Sequence, residues 1–141
     1  MSVLNTGLAK SSAAAAYTID NSLRFNVDDD SYLGKTFAAA GNQKTWTFSC
    51  WYKQGTPGNT IYHLAQAAST ENYAQVYIDG TNEFRVINKV ESGSGDTGSL
   101  FSAALLRDPG AWYHLVCKWD STPATPDADD CALFINGEQV T

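Results

Sequence analysis

The sequence predicts an all-β fold, a two-sheet antiparallel jelly-roll sandwich. Three observations predict it. Thr45–Lys53, Ala111–Asp120 and Cys131–Asn136 each alternate apolar and polar residues, the period of a strand with one buried face. Turn signals recur between such runs: Gly55-Thr56-Pro57-Gly58, Asp79-Gly80, Asp108-Pro109-Gly110 and Asn136-Gly137. No stretch carries a convincing helical period. Many short strands with Gly/Pro turns and no helix favour a sandwich or jelly roll.

Residues 1–20 are small and polar and read as an extended N-terminal arm; the sandwich is expected over 21–141. Leu23, Phe25 and Val27 alternate with polar residues, a strand signal that Asp28-Asp29-Asp30 ends. Tyr32-Leu33 and Thr36-Phe37 suit a short second strand. In Thr45–Lys53, Trp46, Phe48, Cys50 and Tyr52 share one face, opposite Thr47, Ser49 and Trp51. Thr60–Ala65 and Tyr73–Asp79 are the next strands. Asp79-Gly80 then turns the chain into Glu83–Val90, where Phe84, Val86 and Asn88 alternate with Arg85, Ile87 and Lys89. Glu91–Ser99 reads as a flexible loop. Leu100–Leu106 suits either a strand or a helical turn. Ala111–Asp120 places Tyr113, Leu115, Cys117 and Trp119 on one face. Ser121–Asp130 is a Pro/Asp-rich loop. Asn136-Gly137, the strongest hairpin signal in the chain, launches Glu138–Thr141. The total is eight or nine strands.

Composition narrows function. A length of 141 residues fits one domain, and 43% hydrophobic residues are ample for a packed core. The net charge is -6, and residues 108–141 carry one basic and six acidic groups. Such a surface repels phosphate backbones and anionic lipid, so nucleic acid is not an expected partner. No apolar run reaches the roughly 18 residues of a membrane span, so no membrane insertion is expected. The N-terminus lacks the early cation and apolar region of a signal peptide, and reads as non-secreted. Cys50, Cys117 and Cys131 form no zinc spacing. Each falls where an apolar side chain belongs and reads as a small buried hydrophobe. A Cys50–Cys117 bridge stays open.

Three local patterns carry a resemblance: Thr47-Phe48-Ser49-Cys50-Trp51-Tyr52-Lys53, then Trp112-Tyr113-His114 running on to Trp119-Asp120, then Leu133-Phe134-Ile135-Asn136-Gly137. In this order and spacing the chain resembles laminin-G-like domains of the concanavalin A-like lectin/glucanase superfamily. A narrower resemblance, over residues 17–141, is to such modules in bacteriophage virion proteins. It rests on Tyr17–Asn26, Gly41–Thr47 and Leu106–His114. That resemblance implies a tail-fibre or head-decoration component, made in the host cytoplasm and located in the virion. Its partners would be other virion subunits, a second copy of the chain in a homo-oligomer, and host-surface glycan. The family pattern continues past the Asn-Gly hairpin, whereas this chain runs four residues beyond Gly137. The expectation is a sandwich incomplete at its C-terminal edge, as a fragment or with a partner's strand added.

The resemblance also implies candidate chemistry. Sugar binding uses an aromatic platform with polar groups beside it, and the candidates are Trp51, Tyr62, Trp112 and Phe134. Which face of each strand is inner stays open in the sequence. Calcium at a sandwich rim would use hard oxygen ligands, here Asp28 and Asp30, or Asp127, Asp129 and Asp130. A free calcium-dependent lectin is therefore an alternative. A fragment of a carbohydrate-active enzyme is a third reading, but hydrolysis needs paired carboxylates and the four glutamates are scattered. No GxSxG elbow accompanies His63 or His114, which read as structural histidines. No enzyme is expected.

Overall fold

The computed structural model describes residues 22–26, 29, 31–39, 41–58, 61–68, 72–90 and 97–141. The chain divides into two compact units, Met1–Ala38 and Ala39–Thr141. In the first, the described residues form no strand, and Leu23, Phe25, Tyr32, Leu33 and Phe37 are exposed. The strands expected around Leu23–Val27 and Tyr32–Phe37 are therefore absent there. Alternation supplies a face, but a strand also needs a ladder partner, and this unit offers none among its described residues. The arm over 1–20 lies outside the described residues.

The second unit holds eight strands among its described residues. They are β1 (Thr45–Tyr52), β2 (Tyr62–Ala68), β3 (Asn72–Ile78), β4 (Glu83–Val90), β5 (Thr97–Leu105), β6 (Tyr113–Asp120), β7 (Ala132–Ile135) and β8 (Glu138–Gln139). They form two four-stranded sheets. The first has order β1-β6-β7-β8, and the second is the meander β2-β3-β4-β5. All pairings are antiparallel. The segment left ambiguous at Leu100–Leu106 belongs to β5, which begins at Thr97 inside the expected loop. Its strand state follows from a ladder with β4, which pairs Ile87 with Ser99 and Arg85 with Phe101.

The alternation read from the sequence sets the core. Phe84, Val86, Ile78 and Val76 of the second sheet face Leu115, Cys117, Trp119, Leu133 and Ile135 of the first in one buried cluster. Each large apolar side chain buried there contributes roughly 1.5–3 kcal/mol. Trp46 opposes Trp119 in the β1–β6 ladder, and their rings stack with centroids 5.6 Å apart and an interplanar angle of 9°. Gly98 of β5 accommodates that tryptophan. A Cβ at Gly98 would lie 2.8 Å from Trp119 Cη2 and 3.0 Å from Cζ2. The two sheets therefore touch at a point where only glycine fits.

Two turns fix the registers. Asn136 and Gly137 have φ of 53° and 87°, both positive, as a two-residue type I′ hairpin turn requires. Between β3 and β4, Asp79 Oδ1 accepts the Thr81 and Glu83 N–H groups, each at 2.9 Å, and Asn82 takes a φ of 70°. Asn82 is buried and its Oδ1 accepts from Gln54 Nε2 at 3.1 Å and Gly58 N–H at 2.8 Å. This ties the loop after β1 to the β3–β4 turn, where the chain passes from one sheet to the other.

Candidate functional site

The outer face of the first sheet follows from its inner one. Because Leu115, Cys117 and Trp119 point inward, His114, Val116 and Lys118 point outward. On β1 the residues opposing them, Trp51, Ser49 and Thr47, share that outer face, and on β7 Phe134 opposes Val116. Trp51 sits directly opposite His114. Their rings stack at 5.0 Å between centroids with an interplanar angle of 26°. Ser49 Oγ lies 2.9 Å from His114 Nε2, so the imidazole is held from below and from the side. The His114 N–H donates to Asn136 Oδ1 at 2.9 Å, and the Asn136 N–H donates to His114 O at 2.9 Å. The type I′ turn thereby pins the strand that carries the histidine.

Trp51 remains 46% exposed on this support, as does Trp112. Trp112 lies one residue before β6, at the end of the sheet where Trp51 and His114 meet. Phe134 is half-buried in the next strand. Three of the four aromatic candidates thus belong to one end or one face of this sheet. Tyr62 does not. It opposes Ile78, which is fully buried, so it turns inward, packs against the core, and donates its phenol O–H to Thr56 O at 3.0 Å. Register across two strands decided this, and a single strand's alternation holds no such information. Sequence reading missed the contacts of Ser49 and Asn136 with His114, because serine in a strand carries no signal of its own and Asn136 signals only the hairpin. His114, read from the sequence as structural, stacks on Trp51 and hydrogen-bonds Ser49 and Asn136.

A protein-family profile described as the concanavalin A-like lectin/glucanases superfamily matches residues 28–141. The chain belongs to this superfamily. No curated protein and no solved structure matches it. The outer face of this concanavalin A-like sandwich thus carries an aromatic shelf at Trp51 and His114.

The metal candidates of this concanavalin A-like domain are placed as follows. Asp28 and Asp30 lie outside the described residues. Asp127, Asp129 and Asp130 form a tight turn between β6 and β7. Asp127 Oδ1 accepts the Asp129 N–H at 2.8 Å, and Asp130 Oδ2 accepts the Asp127 N–H at 3.2 Å. The Lys118 ammonium donates to the Asp129 carbonyl, placing a cation beside the turn. Among the described residues no three acidic, histidine or cysteine side chains gather as an ion site. The Asp127 and Asp130 carboxylates cap their own loop.

The three cysteines are free thiols. Cys50 opposes Leu115, whereas Cys117 opposes Phe48, so the two stand diagonally on neighbouring strands. Burial pushes the Cys50 thiol up to about 11 and the Cys117 thiol up to about 12, with the nearby Cys131 adding to the second shift. Both are protonated and unreactive at neutral pH.

Proposed function

We propose that this domain is a non-catalytic carbohydrate-recognition module whose binding surface is the outer face around Trp51. The observation that carries the reading is the half-exposed Trp51 indole, braced on His114 at 5.0 Å, with the Ser49 hydroxyl holding the imidazole. A sugar has an apolar C–H face and a hydroxyl rim. A rigid indole with polar groups beside it matches both, at little cost in side-chain ordering. The non-catalytic part is supported by what the acids do. Asp79 and Glu83, which do stand together, are both ion-paired to Arg85. Burial raises the Asp79 pKa, but hydrogen bonds from Thr81 and Glu83, with the Arg85 charge, hold it below its ordinary value. A glycosidase acid needs the opposite shift.

The module is read as part of a bacteriophage particle, a tail fibre or head decoration, on the strength of the similar segments at Tyr17–Asn26, Gly41–Thr47 and Leu106–His114. In that setting it binds host-surface glycan and contacts other virion subunits, including copies of itself. A glycan array with the intact chain and the Trp51→Ala variant tests recognition. Binding that the variant loses supports the site, and an array without signal, or with signal unchanged in the variant, overturns it. A chelator arm tests calcium dependence. Recovery of the protein with purified particles tests the virion setting, and its absence from them refutes that setting.

A further inference from the structure

The second sheet also has an outer face, and its residues meet in one straight row. His63 opposes Tyr77, Tyr77 opposes Arg85, and Arg85 opposes Phe101, so a single line crosses β2, β3, β4 and β5. The His63 and Tyr77 rings stack with centroids 5.8 Å apart and an interplanar angle of 22°. Tyr77 stands directly across the ladder from Arg85. The Arg85 guanidinium lies 5.9 Å from the centroid of the Phe101 ring. Arg85 is also held from the side. Its Nε lies 2.9 Å from Asp79 Oδ2, and its Nη2 donates to Glu83 Oε2 at 2.6 Å. Asp79 is in turn fixed by the β3–β4 turn. At the end of the row Phe101 stays 59% exposed, beside a groove of about 310 Å³ lined by Glu83, Arg85, Ile87, Ser99, Leu100 and Phe101.

Tyr77 in this row is buried, but the row stands outside the core cluster on the other side of the sheet. It is a preorganised polar fork next to a bare aromatic ring. Its charges select the ligand class. Arg85 carries one positive charge against two carboxylates, so an anion entering the groove would meet Asp79 and Glu83. A cation would meet Arg85 beside the ring. A neutral ligand meets neither penalty. The ion pairs do not exhaust the guanidinium donors, and both Arg85 contacts of Glu83 use Oε2, leaving Oε1 as an acceptor. Donor and acceptor side by side suit a pair of vicinal hydroxyls, and Phe101 suits the C–H face of the ring that bears them. A groove of this volume lies at the small end of ligand pockets, where roughly 300–1,000 Å³ is usual.

We propose that the Arg85–Glu83–Phe101 corner of the second sheet is a second binding site, for the ring of a neutral pyranose. The domain then carries one sugar site on each outer face. This site is independent of the Trp51 reading, and either can fail alone.

The test is a titration of the isotope-labelled intact chain with the methyl pyranosides of glucose, galactose, mannose and N-acetylglucosamine. Backbone and Arg85 Nε–H resonances would be followed by NMR. The expected result is a saturable shift of Ser99, Phe101 and the Arg85 side chain with at least one glycoside. Phe101→Ala should weaken that shift by about tenfold, the factor carried by one lost ring contact, while Trp51→Ala leaves it unchanged. Phe101 is exposed, so the variant keeps the fold, and its unshifted core resonances verify this. Arg85→Lys, which keeps the charge but loses the fork, should weaken binding as well. The proposal falls if no glycoside moves these resonances, or if Phe101→Ala leaves the shift intact. It also falls if the resonances move with protein concentration alone, which would make this face a contact between copies of the chain.

Discussion

The two outer faces are built from the same ladder geometry and solve the problem of a fixed surface differently. On the first sheet an indole rests on an imidazole, and hydrogen bonds between Ser49 and the imidazole and from the His114 N–H to Asn136 hold the pair. On the second, a guanidinium is locked by two carboxylates and covers a phenyl ring. The first depends on stacking and a turn, and the second on charge. Preorganisation on a sheet therefore needs only a register that puts a supporting group directly opposite the displayed one. The comparison also separates their sensitivities. Salt should weaken the ion pairs of the second face and spare the first.

The largest expected effect tests whether the faces stand or fall together. Leu115→Ala removes a fully buried side chain from the shared interior and should cost about 2–5 kcal/mol in urea unfolding. Trp51 fluorescence and Phe101 NMR signals should vanish at one common midpoint; separate midpoints would show two sheets that unfold independently. Next comes Gly98→Ala. Its Cβ would press on Trp119, and overpacking of this kind costs about 1–3 kcal/mol. The Trp46–Trp119 stack should change its near-ultraviolet circular dichroism with it.

A smaller effect isolates the charged face. The folded Asp79 carboxyl titrates below its ordinary value of 3.8. A depressed pKa contributes stability that is present above the unfolded value and is lost as pH falls through the folded one. Stability should therefore decline as pH drops below about 3.8, and Asp79→Asn should lower stability near neutrality while flattening that acid limb. Given the partly exposed Arg85, the neutral-pH loss should be about 1 kcal/mol. Smallest is Trp51→Ala, expected within about 0.5 kcal/mol of the parent because the ring lies outside the core. Thermal melting that falls much further would mean the indole is structural.

Much of the fold was legible along the chain. The faces of β1, β4 and β6, the hairpin at Asn136-Gly137 and the inward cysteines all follow from a period of two and from glycine's tolerance of positive φ. Superfamily membership was legible too, because three strands keep their motifs in order. What alternation could not reach is anything that needs two strands at once. It gave Tyr62 no inner or outer label, since only Ile78 across the ladder supplies one. It gave Leu23 and Phe25 a strand pattern without the ladder partner a strand requires. It left Asp127, Asp129 and Asp130 as an acid-rich loop, in which the Asp127 and Asp130 carboxylates turned out to cap the backbone.

By itself, then, the sequence determined the local periods, the turns and the family, because each is written in residues a few positions apart. Only the tertiary structure decided which side chains stand opposite each other. Trp51 and His114 are separated by 63 positions and Tyr77 and Phe101 by 24, yet both pairs belong to single rows. Those rows are set by register, and register is the sum of the buried faces finding one common interior.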